Sequence, residues 1–406
     1  MPLLIRPIAP EEFEDFVRCD RIAFGSPSRQ ESIEHERALF EFDRSLAAFD
    51  GGRIVAEIGG FSFWMRVPGG ELPTTGTTWV SVLPTHRRRG LLTELMRRHL
   101  DDARDRGEPV AALWASEAGI YGRFGFGSAA PVIDVEVTRA GALAPVHAAD
   151  PAAVQLVDRD LAVTPCAAVY EKVQAQRAGC MRRSASWWQH AILVDLEHER
   201  GDRSEKLVAI HDSGDGPDGY VVYRLREVWE GWVPQGTVEI SELVTATPAA
   251  TGALWRYCIQ TDLMTRAVAP LRPVDDPLPF LLAEPRRARC QIRDGLWVRL
   301  VDLPSALSRR GYAAAGELVL QVIDPFCPWN DGRWRLEADE EGATCERTDR
   351  APDLTLPTDA LAAAYLGGIP LTQLAAAGLV EGSPEAITRL DRLLRVPLMP
   401  WQISDF

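Results

Sequence analysis

Residues 80–92 read Val-Ser-Val-Leu-Pro-Thr-His-Arg-Arg-Arg-Gly-Leu-Leu. A short apolar run, Trp79 to Leu83, stops at Pro84, and an amphipathic run, Leu91 to Leu100, follows at once. This pattern predicts a strand that ends in a tight loop opening straight into a helix, the joint from which α/β layers are built. Unsatisfied N–H groups at a helix N-terminus bind anions. Gly90 allows that backbone to approach a ligand closely, and Arg87, Arg88 and Arg89 add charge that can pair with phosphate. Val80 and Val82 before the loop, and Leu91 and Leu92 after it, are the other candidates for contact with the bound group. Taken alone, the same run also describes a solvated basic helix start.

The flanking sequence repeats the alternation. Leu4-Ile5-Arg6-Pro7 reads as a strand and Glu11 to Ala23 as an amphipathic helix. Leu46 to Phe49 and Ile54 to Met65 read as a hairpin, with Asp50-Gly51 as its turn. Trp79 to Leu83 is the next strand and Arg88 to Arg104 the helix, ended by Gly107 and Pro109. Val110 to Ala115 is another strand, a short helix surrounds Tyr121, and Val132 to Val137 closes the set. The segment 140–153, rich in Ala, Gly and Pro, is a candidate linker.

Beyond it the chain repeats itself. Leu243-Val244-Thr245-Ala246-Thr247-Pro248, followed by a helical run from Thr251 to Met264, mirrors the segment from Trp79 to Pro84 and its helix. The second copy carries Ala249-Ala250-Thr251-Gly252 where the first has three arginines, so residues 151–290 read as a degenerate version of the first domain. A third region, 291–406, has a different rhythm. Strands are expected at Leu296 to Val301, Gly316 to Ile323, Arg333 to Ala338 and Leu354 to Leu356, and helices at Leu303 to Arg309, Thr358 to Leu366, Pro370 to Ala377 and Pro384 to Leu394. That is α+β.

Composition narrows the function classes. With 406 residues, 46% hydrophobic and 25% charged, the chain is globular and long enough for two or three domains. No apolar run reaches the roughly 18 residues that span a bilayer, and no signal peptide is visible, which makes a cytoplasmic protein the expectation. A net charge of −14 argues against nucleic acid as a partner and suits cationic small molecules or basic peptides. Seven cysteines without a Cys-x-x-Cys pair suggest neither disulfides nor zinc, only small apolar residues, and the histidines show no metal-ligand spacing.

Tyr121 is the only tyrosine in the first 169 residues. It follows the Val110 to Ala115 strand in Ala115-Ser116-Glu117-Ala118-Gly119-Ile120-Tyr121-Gly122-Arg123-Phe124-Gly125. A phenol with a pKa of about 10 is protonated at neutral pH and can hand a proton to a departing thiolate. A half-buried tyrosine bonded to backbone is the plain alternative. The Arg-x-x-Gly loop after Val-x-Val resembles the coenzyme A pyrophosphate loop of GNAT-type N-acetyltransferases. With the 115–125 block, Asp294-Gly295-Leu296-Trp297, Leu303-Pro304 and a terminal Phe, the whole chain resembles the Eis (enhanced intracellular survival) family of actinobacterial type.

The resemblance implies tandem GNAT folds, an active one at 1–145 and a degenerate one at 151–290, then a sterol-carrier-protein-like α+β domain at 291–406. It implies acetyl-CoA as acyl donor, held by the 80–92 loop with Ser116 and Glu117, and a homohexamer. It also implies Tyr121 as general acid and the C-terminal carboxylate of Phe406 as general base. A terminal carboxylate titrates near pH 3.5 in water, so burial must raise it for that work. The family often has a histidine seven residues before the tyrosine, and this chain has Trp114, which can narrow a pocket or face a cation. Aminoglycosides, bound as polyamines, are the substrates the family suggests. Trp114, Asp405 and Phe24 are candidates for contact with them, along with Glu31, Glu34, Glu36, Ser26 and Phe40. Two other readings compete: acetylation of peptide or protein lysines, and a lipid or small-ligand carrier in which the GNAT domains are scaffold.

Overall fold

The protein is described by a computed structural model covering residues 3–27, 29–139, 144 and 153–406. The chain divides into two compact units. One comprises Met1–Ala130, Ala178–Met181 and Asp294–Phe406, the other Pro131–Arg177 and Arg182–Arg293. The candidate linker at 140–153 falls mostly outside the described residues.

The first unit opens with β1 (Leu4–Arg6), α1 (Phe13–Phe24), α2 (Gln30–Leu39) and β2 (Leu46–Asp50). Then come β3 (Arg53–Val67), β4 (Gly70–Val82), α3 (Leu91–Asp105), β5 (Val110–Trp114) and α4 (Ala118–Tyr121). β1 to β4 form an antiparallel meander, and β4 then pairs in parallel with β5. Phe13, Phe16 and Val17 of α1 share one core with Leu91, Leu95, Met96 and Leu100 of α3 and with Val55 and Ile58 of β3. Each such side chain contributes about 1.5–3 kcal/mol on burial. β4 begins nine residues earlier than the apolar run from Trp79 predicts. Its first half is polar yet buried: Thr75 bonds Glu108, Arg44 bonds both Thr75 and Glu108, and Thr77 bonds His99 at 2.9 Å. A buried polar network thus replaces the apolar alternation by which a strand is recognised. α3 starts at Leu91 and not at Arg88, because Arg88 (φ 63°) and Gly90 (φ 82°) are both left-handed.

The second unit contains most of β6 (Gly127–Thr138), then β7 (Val154–Val157), α5 (Val163–Gln174), α6 (Ala185–Trp187) and α7 (Glu197–Arg200). β8 (Leu207–Asp212), β9 (Pro217–Arg226), a small hairpin β10 (Trp229–Glu230) and β11 (Val233–Pro234), and β12 (Gly236–Thr245) follow. α8 (Pro248–Gln260), β13 (Met264–Pro273) and α9 (Leu278–Leu281) complete it. β7, β8, β9 and β12 are antiparallel neighbours, β12 and β13 run parallel, and β13 returns antiparallel to β6. This is the strand plan of the first unit's meander and fork, with α8 in the place of α3.

The chain re-enters the first unit along β14 (Ala288–Leu300), whose residues 296–300 pair antiparallel with β5. The strand expected to open the third region therefore completes the first sheet. Its alternation cannot reveal which sheet it joins. α10 (Leu303–Ser308), β15 (Gly316–Ile323), β16 (Gly332–Ala338), β17 (Ala343–Arg347) and β18 (Leu354–Pro357) follow. α11 (Thr358–Ala364), α12 (Leu371–Ala376), β19 (Glu381–Gly382) and α13 (Pro384–Leu394) end the regular structure. The second sheet runs β17-β16-β15-β18-β19. Buried Arg299 of β14 bonds Asp324 at 2.6 Å and Thr358 at 2.7 Å and so ties the two sheets together. Six of the seven cysteines are buried; Cys290 is exposed, contrary to the expectation that all pack as apolar residues.

Candidate active site

β4 and β5 pair only at Thr74–Val110, Thr75–Ala111 and Gly76–Ala112, and then diverge. The divergence has a local cause in β4. Its register against β3 slips between Glu57 and Gly59, where Trp79 takes a positive φ of 53°. Such a bulge bends and twists the strand that carries it. Gly59 makes room for it, because a Cβ there would stand 2.9 Å from the Trp79 ring. Past Gly76, backbone groups of β4 that face β5 have no strand partner among the described residues, which leaves donors available to a carbonyl.

A cleft of about 680 Å³ opens beside this fork. Val80 and Val82 of β4, Arg87, Arg88 and Gly90 of the loop, and Leu91 and Leu92 of α3 line it, as do Ser116, Glu117, Tyr121 and Phe24. The three arginines differ. Arg87 donates to the carbonyls of Val82 and Ala23, both at 3.2 Å, which fastens the loop to the end of α1. Arg88 lines the cleft with no hydrogen-bond partner among the described residues. Arg89 turns back to the Thr85 carbonyl at 2.9 Å and is not part of the lining. No side chain caps the first N–H groups of α3, and the space over Gly90 is open. An uncapped helix start, an open glycine and an unpaired guanidinium fit a pyrophosphate.

The second unit shows the opposite arrangement at the equivalent place. Thr247 caps α8 by accepting from the Ala250 N–H at 3.1 Å and donates to Asp218 at 2.6 Å, so the chain's own carboxylate stands near that helix start. Beside the bulge of β12, between Ile240 and Glu242, the Glu242 carboxylate binds buried Arg183 at 2.6 Å and accepts from Tyr220 at 2.8 Å. Both the anion cradle and the fork are filled by protein.

Tyr121 ends α4 and is 3% exposed. Burial first, with the Glu117 charge adding to it, raises its phenol above the ordinary value against a hydrogen bond with Ser116 that lowers it. It stays protonated at neutral pH. The glycines after it let the following chain pack closely against Arg299 and Asp359. A Cβ at Gly125 would stand 2.3 Å from Arg299, and one at Gly127 would stand 2.0 Å from the Asp359 carbonyl. At the chain's other end, the Phe406 ring packs on Phe63 with centroids 5.0 Å apart and an angle of 65°. A Cβ at Gly76 would stand 3.2 Å from that same ring. Gly76 belongs to the last β4–β5 pair, so the terminal residue lies at the fork.

The remaining candidates are more scattered. Trp114 ends β5 opposite Leu296, with its indole nitrogen buried and without a hydrogen-bond partner among the described residues, and is not part of the cleft lining. Asp405 is exposed. Glu36 pairs with Arg21, Glu31 and Glu34 are exposed on α2, Ser26 is exposed, and Phe40 packs on Phe13, Phe16 and Trp79. Sequence reasoning missed Ser81, whose hydroxyl donates at 3.2 Å to the fully buried Glu57. Burial, and then the neighbouring Asp20, hold the Glu57 carboxyl well above its usual range. Burial also pushes Asp20 up to about 6. The available signal was a lone Glu inside the apolar run Ile54 to Phe63. No helix among the described residues is long and apolar enough to cross a membrane, and none of their His, Cys, Asp or Glu side chains form a metal-binding group of three or more.

Residues 4–129 and 179–300 each match an acetyltransferase (GNAT) domain, and residues 303–402 match a sterol carrier protein domain. N-acetyltransferase Eis of Mycobacterium tuberculosis is 37% identical over 381 residues, 89% of either chain. The chain belongs to the Eis family. Its Eis relatives include a crystal structure, Eis1 from Mycobacterium abscessus, with a TM-score of 0.85 at 34% identity covering 99% of this chain and 100% of that one. An uncharacterized N-acetyltransferase of Streptomyces avermitilis is 41% identical over 389 residues, 95% of each chain. Like other Eis-family proteins it is an N-acetyltransferase that uses acetyl-CoA, built from two tandem GNAT domains and a sterol-carrier-like domain.

Proposed function

We propose that the enzyme acetylates amines of cationic small molecules such as aminoglycosides, at more than one position, by direct attack of the amine. Tyr121 serves as general acid and the Phe406 carboxylate as general base. The observation that carries this reading is the Phe406 ring against Phe63 and Gly76, at the last rung of the β4–β5 ladder. Bound acetyl-CoA supplies an acyl group whose leaving group is a thiolate. Arg88, Gly90 and the free N–H groups of α3 would hold its pyrophosphate, with Arg87 bracing the loop. Unpaired N–H groups of β4 beyond Gly76 would polarise the carbonyl. The terminal carboxylate takes the ammonium proton, and Tyr121, kept protonated by burial, gives its own to the thiolate. A homohexamer is the proposed assembly, from the family likeness alone.

The test is thiol release from acetyl-CoA with a panel of aminoglycosides and lysine peptides, followed by mass counting of acetyl groups. Thiol release with aminoglycosides and products carrying two or more acetyl groups are expected. Turnover of peptides alone would make lysine the acceptor, and no release with any amine would overturn the reading.

A further inference from the structure

The last six residues, Trp401 to Phe406, contain no helix or strand, yet Trp401, Gln402 and Ile403 are almost fully buried. Something other than secondary structure holds them. The Trp401 N–H donates to the Ala178 carbonyl at 2.8 Å, and the Cys180 thiol donates to the Trp401 carbonyl at 3.0 Å. The Met181 N–H donates to Gln402 Oε1 at 3.2 Å, and Gln402 Nε2 donates to the Ser404 carbonyl at 3.0 Å. Residues 178–181 are themselves fixed to β3. The Gly179 N–H donates to the Arg66 carbonyl, the Arg66 N–H donates to the Cys180 carbonyl, both at 2.8 Å, and Met65 bridges Met181. Four residues from the middle of the sequence thus lie between β3 and the C-terminal segment, bonded to both.

β3 also supplies Phe63, the floor under the Phe406 ring, two residues before Met65. Successive strand residues rise about 3.3 Å, so one rigid strand sets the distance from this double attachment to the fork. Gly179 has a φ of +93°, and a Cβ there would stand 3.1 Å from the Trp401 carbonyl oxygen. We propose that Ala178–Met181 and Gln402 form a clasp that places the Phe406 carboxylate at the β4–β5 fork, with Gly179 and Gln402 as positioning residues for proton transfer. The inference rests on Phe406 being the base.

The test uses the full chain as Gly179→Ala, which crowds Trp401 from one side, and Gln402→Leu, which removes the acceptor for Met181. A third form carries a carboxamide in place of the Phe406 carboxylate. Turnover is followed by thiol release from pH 7 to pH 9.5. Both variants are expected to lose about tenfold or more in kcat at pH 7 with the KM for acetyl-CoA unchanged. The loss should shrink as pH rises, because a free amine no longer needs a base. Native turnover in both clasp variants, while the carboxamide form is crippled, would overturn the clasp and leave the base assigned. A loss equal at every pH would mean a merely structural role and would also overturn it. A fully active carboxamide form would instead overturn Phe406 as base, and the clasp with it.

Discussion

Gly76→Ala is a sharp perturbation, because the fork leaves no room for a methyl group. The new Cβ would stand 2.4 and 2.5 Å from two carbons of the Phe63 ring and 3.2 Å from the Phe406 ring. Carbon atoms pack at about 3.5–4.0 Å, so Phe63 must retreat by about 1 Å from a buried position between Phe61 and Phe406. Overpacking of this kind costs about 1–3 kcal/mol. The same displacement moves the terminal residue, and a shift of about 1 Å in a reacting group costs roughly 100-fold in rate. Gly60→Ala is the control. Its Cβ would stand 3.0 Å from His99 and 3.4 Å from Arg44, crowding the same sheet away from Phe406. Urea unfolding midpoints and thiol-release kcat, measured on both, separate stability from placement. Both are expected to unfold earlier, and only Gly76→Ala to lose most of its kcat. A destabilised Gly76→Ala enzyme with native kcat would refute the reasoning.

Tyr121→Phe keeps the buried ring and removes the proposed acid; kcat is expected to fall about 10²–10⁴-fold with the KM for acetyl-CoA unchanged, read by steady-state thiol release. Arg88→Ala is expected to raise that KM by about tenfold or more, the scale of a lost bond to a charged group, while Arg89→Ala, at a side chain turned back to the Thr85 carbonyl, leaves it near native. For Asp20 the folded value is raised, to about 6 from 3.8. The stability of its neutral form is therefore fully present below about pH 4 and lost as pH rises through about 6. Asp20→Asn is expected to stabilise the protein by up to about 3 kcal/mol at pH 7.5 and hardly at all at pH 4. Equal urea midpoint shifts at both pH values would contradict this.

The strand-loop-helix at 80–92 and the tyrosine beside its cleft were legible in the sequence because their signals are local. A Pro stop, an arginine run, Gly90 and an amphipathic repeat declare a strand-loop-helix, and Tyr121 had no rival nearby. The division of labour among the three arginines was not legible, since it depends on left-handed backbone at Arg88 and on carbonyls of Ala23, Val82 and Thr85. The first half of β4 escaped because Thr74, Thr75 and Thr77 are buried polar residues whose hydroxyls bond the Leu72 carbonyl, the buried Arg44–Glu108 pair and His99. β14 read correctly as a strand in the wrong region, because alternation carries no address. Phe406 became a candidate only through family likeness; its neighbours Phe63 and Gly76, and the 178–181 segment that bonds Trp401 and Gln402, are reached by tertiary contacts spanning more than two hundred residues of chain.

Acid–base work shared between Tyr121 and the chain terminus is the core of the account, and the terminus is its most exposed point. The most direct measurement is the pH dependence of kcat/KM for the Phe406 carboxamide form, which keeps the ring against Phe63 and removes only the ionisable oxygen. A fall of about 10²-fold or more at pH 7, recovering toward the native rate near pH 9.5, is predicted. A carboxamide form that turns over at the native rate at pH 7 would contradict it.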